Sequence, residues 1–131
     1  MPTTSSSGFK YHRVLICGDR NWHEVMPIRR VILELHKKWG NRLVIIEGGA
    51  RGVDTLAHHE ALKRGIPVMT FDAPWELLPK AGGPVRNKWM LKIGKPHEAY
   101  AFHPDLTKSK GTKDMVELLE KAGIKVKRVI Q

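Results

Sequence analysis

From Arg13 onward the chain alternates short, continuous apolar runs with longer stretches whose apolar residues recur every three or four positions. The runs are RVLIC (Arg13–Cys17), RLVIIE (Arg42–Glu47), PVMTF (Pro67–Phe71), EAYAF (Glu98–Phe102) and KVKRVI (Lys125–Ile130). Such runs, bounded by turn residues, predict buried strands, and the charged alternation of the last predicts an edge strand with one wet face. Between them, EVMPIRRVILELHKKW places Val25, Ile28, Ile32, Leu35 and Trp39 at helical spacing, with Gly40 as the stop. In VDTLAHHEALKRG the inward set is Val53, Leu56, Ala57 and Leu62, and Gly65 ends the helix. SKGTKDMVELLEKAG predicts a further helix with Met115, Leu118, Leu119 and Ala122 inward. The rhythm breaks in DAPWELLPKAGGPVRNKWMLKIG, where prolines and paired glycines predict a loop. There Pro84 opens a helix over Val85–Ile93, because its fixed φ suits a first turn.

Strands alternating with helices predict a parallel sheet covered on both faces. The right-handed crossover rule narrows this to a single doubly wound, Rossmann-like α/β domain with a mostly parallel five-stranded sheet. At 131 residues the chain is one domain, expected over residues 13–131, with a flexible N-terminal tail over 1–12. The opening MPTTSSSG lacks the apolar core of a signal peptide. No apolar run approaches the roughly 20 residues of a membrane span, and the one cysteine, Cys17, fits a reducing compartment. A cytoplasmic protein with no membrane partner is expected.

In an open parallel sheet ligands bind at the C-terminal strand edge, where the strand order reverses. Here the loops on that edge are CGDRNW, EGGARGVD, DAPW and HPDLTKSKGTKD, and they hold most of the glycines, short polar residues and charges. In GGARGVD, Gly48, Gly49 and Gly52 clear side chains from main-chain amides at a helix start, where the dipole favours an anion, and Arg51 adds a bidentate donor. The spacing is neither a dinucleotide fingerprint nor a P-loop, and a plain strand-to-helix turn explains it equally. SKGTKD repeats the chemistry: Ser109 or Thr112 can cap the helix, Gly111 clears the backbone, and Lys110 and Lys113 supply charge. Alone it reads as an ordinary capped helix start, and its convergence with GGARGVD on one edge is what points to a phosphate site.

Asp19 can accept from ribose hydroxyls and Arg20 can pair with phosphate, or the two can pair with each other. Trp22 and Trp75 each read as a base-stacking ring or as a core anchor. Arg86 and Asn87 fall in the first turns of the helix after Pro84, within reach of the same edge. Asp19, Asp54 and Asp114 are the candidate catalytic carboxylates, with Glu47 also near the glycine turns. Seven histidines invite a metal reading, but neither WHEVM nor AHHEAL carries the paired spacing of a zinc helix, and there is no cysteine pair. Neither a metal nor a cofactor is expected. Cys17 reads as buried and inert, and no nucleophile elbow is present.

GDRNW, GGARGVD, AGGPVRNKWM and SKGTKDM, in this order, resemble the SLOG superfamily and within it the YspA-type (YpsA-related) proteins of bacteria and phages. The resemblance runs from about Val14 to Val129. It implies a Rossmann-like fold that binds nucleotides or nucleotide-derived ligands, and a pocket of Gly18, Asp19, Arg20, Gly48, Gly49, Gly52, Asp54, Arg86, Asn87, Ser109, Gly111 and Thr112. One branch of the superfamily hydrolyses nucleoside monophosphates through a P-G-G-x-G-T-x-x-E pattern. Here LTKSKGTKDM keeps Gly111 and Thr112 but has Met115 at the glutamate position, with Asp114 about 100° away around the helix. Another branch, the DNA-processing protein A group, binds single-stranded DNA.

Three functions follow as expectations. The first is binding of a nucleoside phosphate, ADP-ribose or cyclic nucleotide. The second is hydrolysis of an N-glycosidic or phosphate bond in such a ligand. The third is nucleic-acid binding, prompted by a net charge of +10, which attracts polyanions and small phosphates alike. Homo-oligomers are usual among the relatives this chain resembles, so self-association is expected too.

Overall fold

The structure, a computed structural model, describes residues 10–130. MPTTSSSG, the core of the expected tail, lies outside the described residues. Five strands, β1 (His12–Gly18), β2 (Leu43–Glu47), β3 (Val68–Thr70), β4 (Glu98–Phe102) and β5 (Lys125–Val129), form one sheet in the order β3-β2-β1-β4-β5, every neighbouring pair parallel. The connecting helices are α1 (Val25–Trp39), α2 (Val53–Lys63), α3 (Gly82–Lys92) and α4 (Gly111–Lys121), with short 3-10 turns at Gly40–Arg42 and Leu106–Lys108. This is the expected doubly wound α/β fold.

The alternation along β1 explains the two layers. Val14 and Ile16 face the core beneath α1 and α2, with Ile28, Ile32, Ile45 and Ala57. Leu15 and Cys17 face the opposite core beneath α3 and α4, with Ile46, Met90, Met115 and Leu119. Because β1 and β2 are covered on both sides, they read as continuous apolar runs. No helix among the described residues is long and apolar enough to cross a membrane.

Four local expectations need correction. Arg42 belongs to the 3-10 turn rather than to β2. In α2 the buried stripe is Val53, Ala57, Glu60 and Ala61, an i, i+4, i+7, i+8 pattern, so Leu62 falls on the next face and is exposed. Ala122 lies just past the end of α4 and is exposed. Helix α3 starts at Gly82, ahead of Pro84, because the Gly82 amide donates to the Leu78 carbonyl at 2.8 Å while the Trp75 ring lies against both glycines. A Cβ at Gly82 would meet that ring at 3.0 Å.

Candidate functional site

The chain runs outward from β1 to β3 and then crosses back to β4, so β1 and β4 flank the point where the winding reverses. A cleft of about 560 Å³ opens there, at the C-terminal strand ends. It brings together Gly18, Asp19, Arg20, Gly48, Gly49, Asp54, Arg86, Asn87, Ser109, Gly111, Thr112 and Asp114, drawn from loops far apart in sequence. Trp22, Arg51 and Gly52 are not on its lining. Trp22 is 6% exposed, sets its ring edge-on to Phe102 and donates its indole N–H to the Glu24 carbonyl at 2.6 Å. It is a core anchor, not a stacking platform. Gly52 (φ +79°) lets α2 begin directly beneath the first loop, whose Asp19 carbonyl accepts the Val53 amide at 3.2 Å.

The glycine turn after β2 is built differently from an open cradle. The Gly48 and Ala50 amides both donate to Oδ2 of Asp54, at 3.0 and 3.3 Å, and the Gly49 amide donates to Oε1 of Glu47 at 2.6 Å. Three of the amides expected to face an anion are therefore occupied by the chain's own carboxylates. Gly48 also lacks a side chain for an internal reason, since a Cβ there would meet the Arg86 guanidinium at 2.6 Å. Burial, reinforced by the charge of Glu47, pushes the Asp54 carboxyl up to about 7, against the pull of the two amides and of Arg86. Asp54 is thus a carboxyl poised to hold a proton near neutrality.

A chain of hydrogen bonds crosses the cleft floor from this turn to α4. Arg86 donates Nη1–H to the Gly48 carbonyl and Nε–H to Oδ1 of Asn87, the latter at 2.9 Å. Asn87, 3% exposed, donates its amide to Oδ2 of Asp114 at 2.9 Å and to the Gly111 carbonyl at 3.3 Å. Asp114 is therefore turned toward α3. Asp19, the third candidate carboxylate, accepts the Asn21 amide at 3.0 Å and shapes its own loop.

At the α4 end the picture is more open. Ser109 caps the helix, its Oγ accepting the Thr112 amide at 3.0 Å. The Gly111 amide has no acceptor among the described residues, and a Cβ built at Gly111 has nothing within 4 Å. Lys108 and Lys110 flank it on the rim. Other lining residues are Trp75, 44% exposed, and Asp72, Lys80 and His103. Asp72, Lys80 and His103 were not expected in the site, although His103 directly follows the last residue of β4 and Asp72 lies two residues past the end of β3. Cys17 lies in the floor, and burial pushes its thiol far above the usual range, which makes it a poor nucleophile. Among the described residues no group of three His, Cys, Asp or Glu side chains is placed to hold a metal.

Residues 12–77 match the profile of the family described as "YspA, cpYpsA-related SLOG family". The chain is 36% identical over 121 residues to the Gene 61 protein of Mycobacterium phage D29, an alignment covering 87% of this chain and 93% of that one. Its fold is similar to that of DNA processing protein A (DprA) from Streptococcus pneumoniae, with a TM-score of 0.56 at 19% identity. That superposition covers 88% of this chain and 58% of the DprA chain.

Proposed function

This chain belongs to the YspA, cpYpsA-related SLOG family, and from that premise and the chemistry of the cleft we infer that it binds a nucleotide or nucleotide-derived ligand between α3 and α4. The observation that carries this reading is Gly111. It stands at the first turn of α4 with an amide that lacks an internal acceptor and a Cβ position that opens onto empty space. No packing contact calls for a glycine there, whereas close approach of a phosphate does. Lys108, Lys110 and Arg20 on the rim supply charge, and Trp75 supplies an aromatic surface for a base. On this reading the anion sits at the α4 loop, with the self-occupied glycine turn after β2 as a wall of the cleft.

The test is calorimetry with AMP, ADP-ribose and cyclic AMP on the native chain and on Gly111→Val. The expected result is binding tighter than about 1 mM for at least one ligand, lost in the variant. Absence of such binding across the panel overturns the reading.

A second reading, hydrolysis of the bound nucleotide, is favoured by one observation. Asp54 lines the cleft with its proton affinity raised to about 7, the range suited to a general acid. Incubation with AMP and NAD, followed by chromatography for free base, tests it. Release that disappears in Asp54→Asn supports it, and no release refutes it. DNA binding, which the net charge of +10 invites, predicts a gel shift at low salt that collapses as salt rises.

A further inference from the structure

A second concavity of about 230 Å³ lies on the flank of the sheet, where β2 and β3 end beside α2. Its floor is Glu47, only 1% exposed, whose two oxygens serve different masters. Oε1 accepts the Gly49 amide at 2.6 Å and so belongs to the wall of the nucleotide cleft. Oε2 accepts from Nδ1 of His58 at 2.9 Å and from the Thr70 hydroxyl, on the far side of that wall. A carboxylate only accepts, so Nδ1 carries a hydrogen and Nε2 is the ring nitrogen that gains or loses a proton. The His58 side chain is 35% exposed, which leaves the ring accessible to solvent while its partner is sealed.

We propose that His58 is a positioning residue for the nucleotide cleft: through Glu47 it sets the place of the Gly49 amide, and protonation of its ring loosens that hold. The inference rests on the reading of the cleft as a nucleotide site. An imidazolium draws the Glu47 charge toward α2, so Oε1 becomes a weaker acceptor for Gly49 and the turn becomes freer to offer an amide to an anion. The other groups facing His58 are Asp72 beyond β3, the Thr55 and Thr70 hydroxyls, and His59, whose ring lies edge-on at 5.7 Å. Asp54 stands behind the same turn, bound to the Gly48 and Ala50 amides. Of these groups His59 alone can become a cation, and it is kept in both chains of the comparison below.

The experiment has two arms on the full chain. In the first, without ligand, NMR follows the Gly49 amide and the His58 ring from about pH 5 to 8, where histidine charge changes. The amide is expected to titrate with the midpoint of the ring. His58→Asn keeps a donor in the Nδ1 position without a titrating group, and in it that step is expected to vanish. Asp54, raised to about 7 behind the same turn, gives it a step that both chains share. An amide with no component that follows the ring, or with the same pH profile in the Asn variant, overturns the proposal. In the second arm the probe is ADP-ribose, whose phosphates do not titrate in this range. Its affinity is expected to rise about fivefold as pH falls through the ring midpoint, the low end of couplings between sites. Asp54, raised to about 7, adds a pH dependence common to both chains, so the deciding quantity is the difference between native chain and His58→Asn. Equal profiles overturn the proposal. If ADP-ribose fails to bind at every pH, the amide arm alone decides whether His58 governs the turn, and the cleft reading is judged on the full ligand panel.

Discussion

Replacing Asp54 by asparagine is expected to abolish a large pH dependence of stability. Both amides that Asp54 holds, those of Gly48 and Ala50, reach the same oxygen. An asparagine Oδ1 can take that place, so the turn is kept while the titrating proton is removed. In the folded chain the Asp54 carboxyl is raised from 3.8 to about 7, first by burial and then by the charge of Glu47. The folded state therefore binds this proton more tightly than the unfolded state does. Its contribution to stability is fully present below pH 3.8 and is lost as pH rises toward about 7. At about 1.4 kcal/mol per pH unit, the loss across that window is about 4 kcal/mol, a large part of the 5–15 kcal/mol that holds a typical domain together. The assay is urea unfolding at closely spaced pH values, read by tryptophan fluorescence, on the native chain and on Asp54→Asn. Titrations shared by both chains, such as those of His97 and Glu60, cancel in the difference. The variant is expected to gain about 4 kcal/mol on the native chain between the acid end and neutrality. A difference constant to within about 1 kcal/mol, near the error of such extrapolations, would refute the argument.

The glycines should separate by role: Gly111→Ala leaves thermal stability equal or raised, since alanine suits a helix and nothing lies within 4 Å, while nucleotide affinity falls. Gly18→Ala is expected to cost about 1–3 kcal/mol in denaturant melts, because its Cβ would press on the Phe102 carbonyl and meet Val53 Cγ2 at 2.6 Å. Trp75→Ala should weaken nucleotide binding by about 1–3 kcal/mol by calorimetry if the ring stacks a base, and an unchanged affinity removes it from the site. Glu60, 2% exposed and bound by Arg29, Lys63 and Arg64, has its carboxyl lowered to about 2, chiefly by the hydrogen bond from Arg29. Glu60→Gln should destabilise at neutral pH by about 1–3 kcal/mol. The native chain's advantage should fade as pH drops from 4.5 toward 2, because a depressed carboxyl loses its contribution on protonation.

The strands and helices were legible because each is a local pattern. Val14 to Cys17 is a short apolar run stopped by Gly18, which fits a covered strand, and Gly40 (φ +59°) and Gly65 (φ +70°) end helices where a positive φ is needed. The convergence of loops also followed, since a parallel sheet gathers every strand's C-terminal end on one edge. What the sequence could not convey was which partner each amide takes. Glu47 and Asp54 are adjacent to the glycine turn in the chain, but only the packing of α2 against β2 turns their oxygens inward to close it. Side-on packing decided two further cases. Leu62 is exposed because the buried stripe of α2 runs through Glu60, a carboxylate hidden by three basic partners. Helix α3 begins before its proline because Trp75 needs the bare surface of Gly82 and Gly83. Asp114, expected as a candidate catalytic carboxylate, instead accepts the Asn87 amide, a pairing that only the packing of α3 against α4 sets.

The two borders of the sheet have a bearing on how copies of the chain meet. Strand β3 offers three residues, and β5 carries Lys125, Lys127 and Arg128 along its five. An incoming strand would find too short a template on one side and a row of like positive charges, on a chain already at +10, on the other. Fibril growth by sheet extension is thus disfavoured.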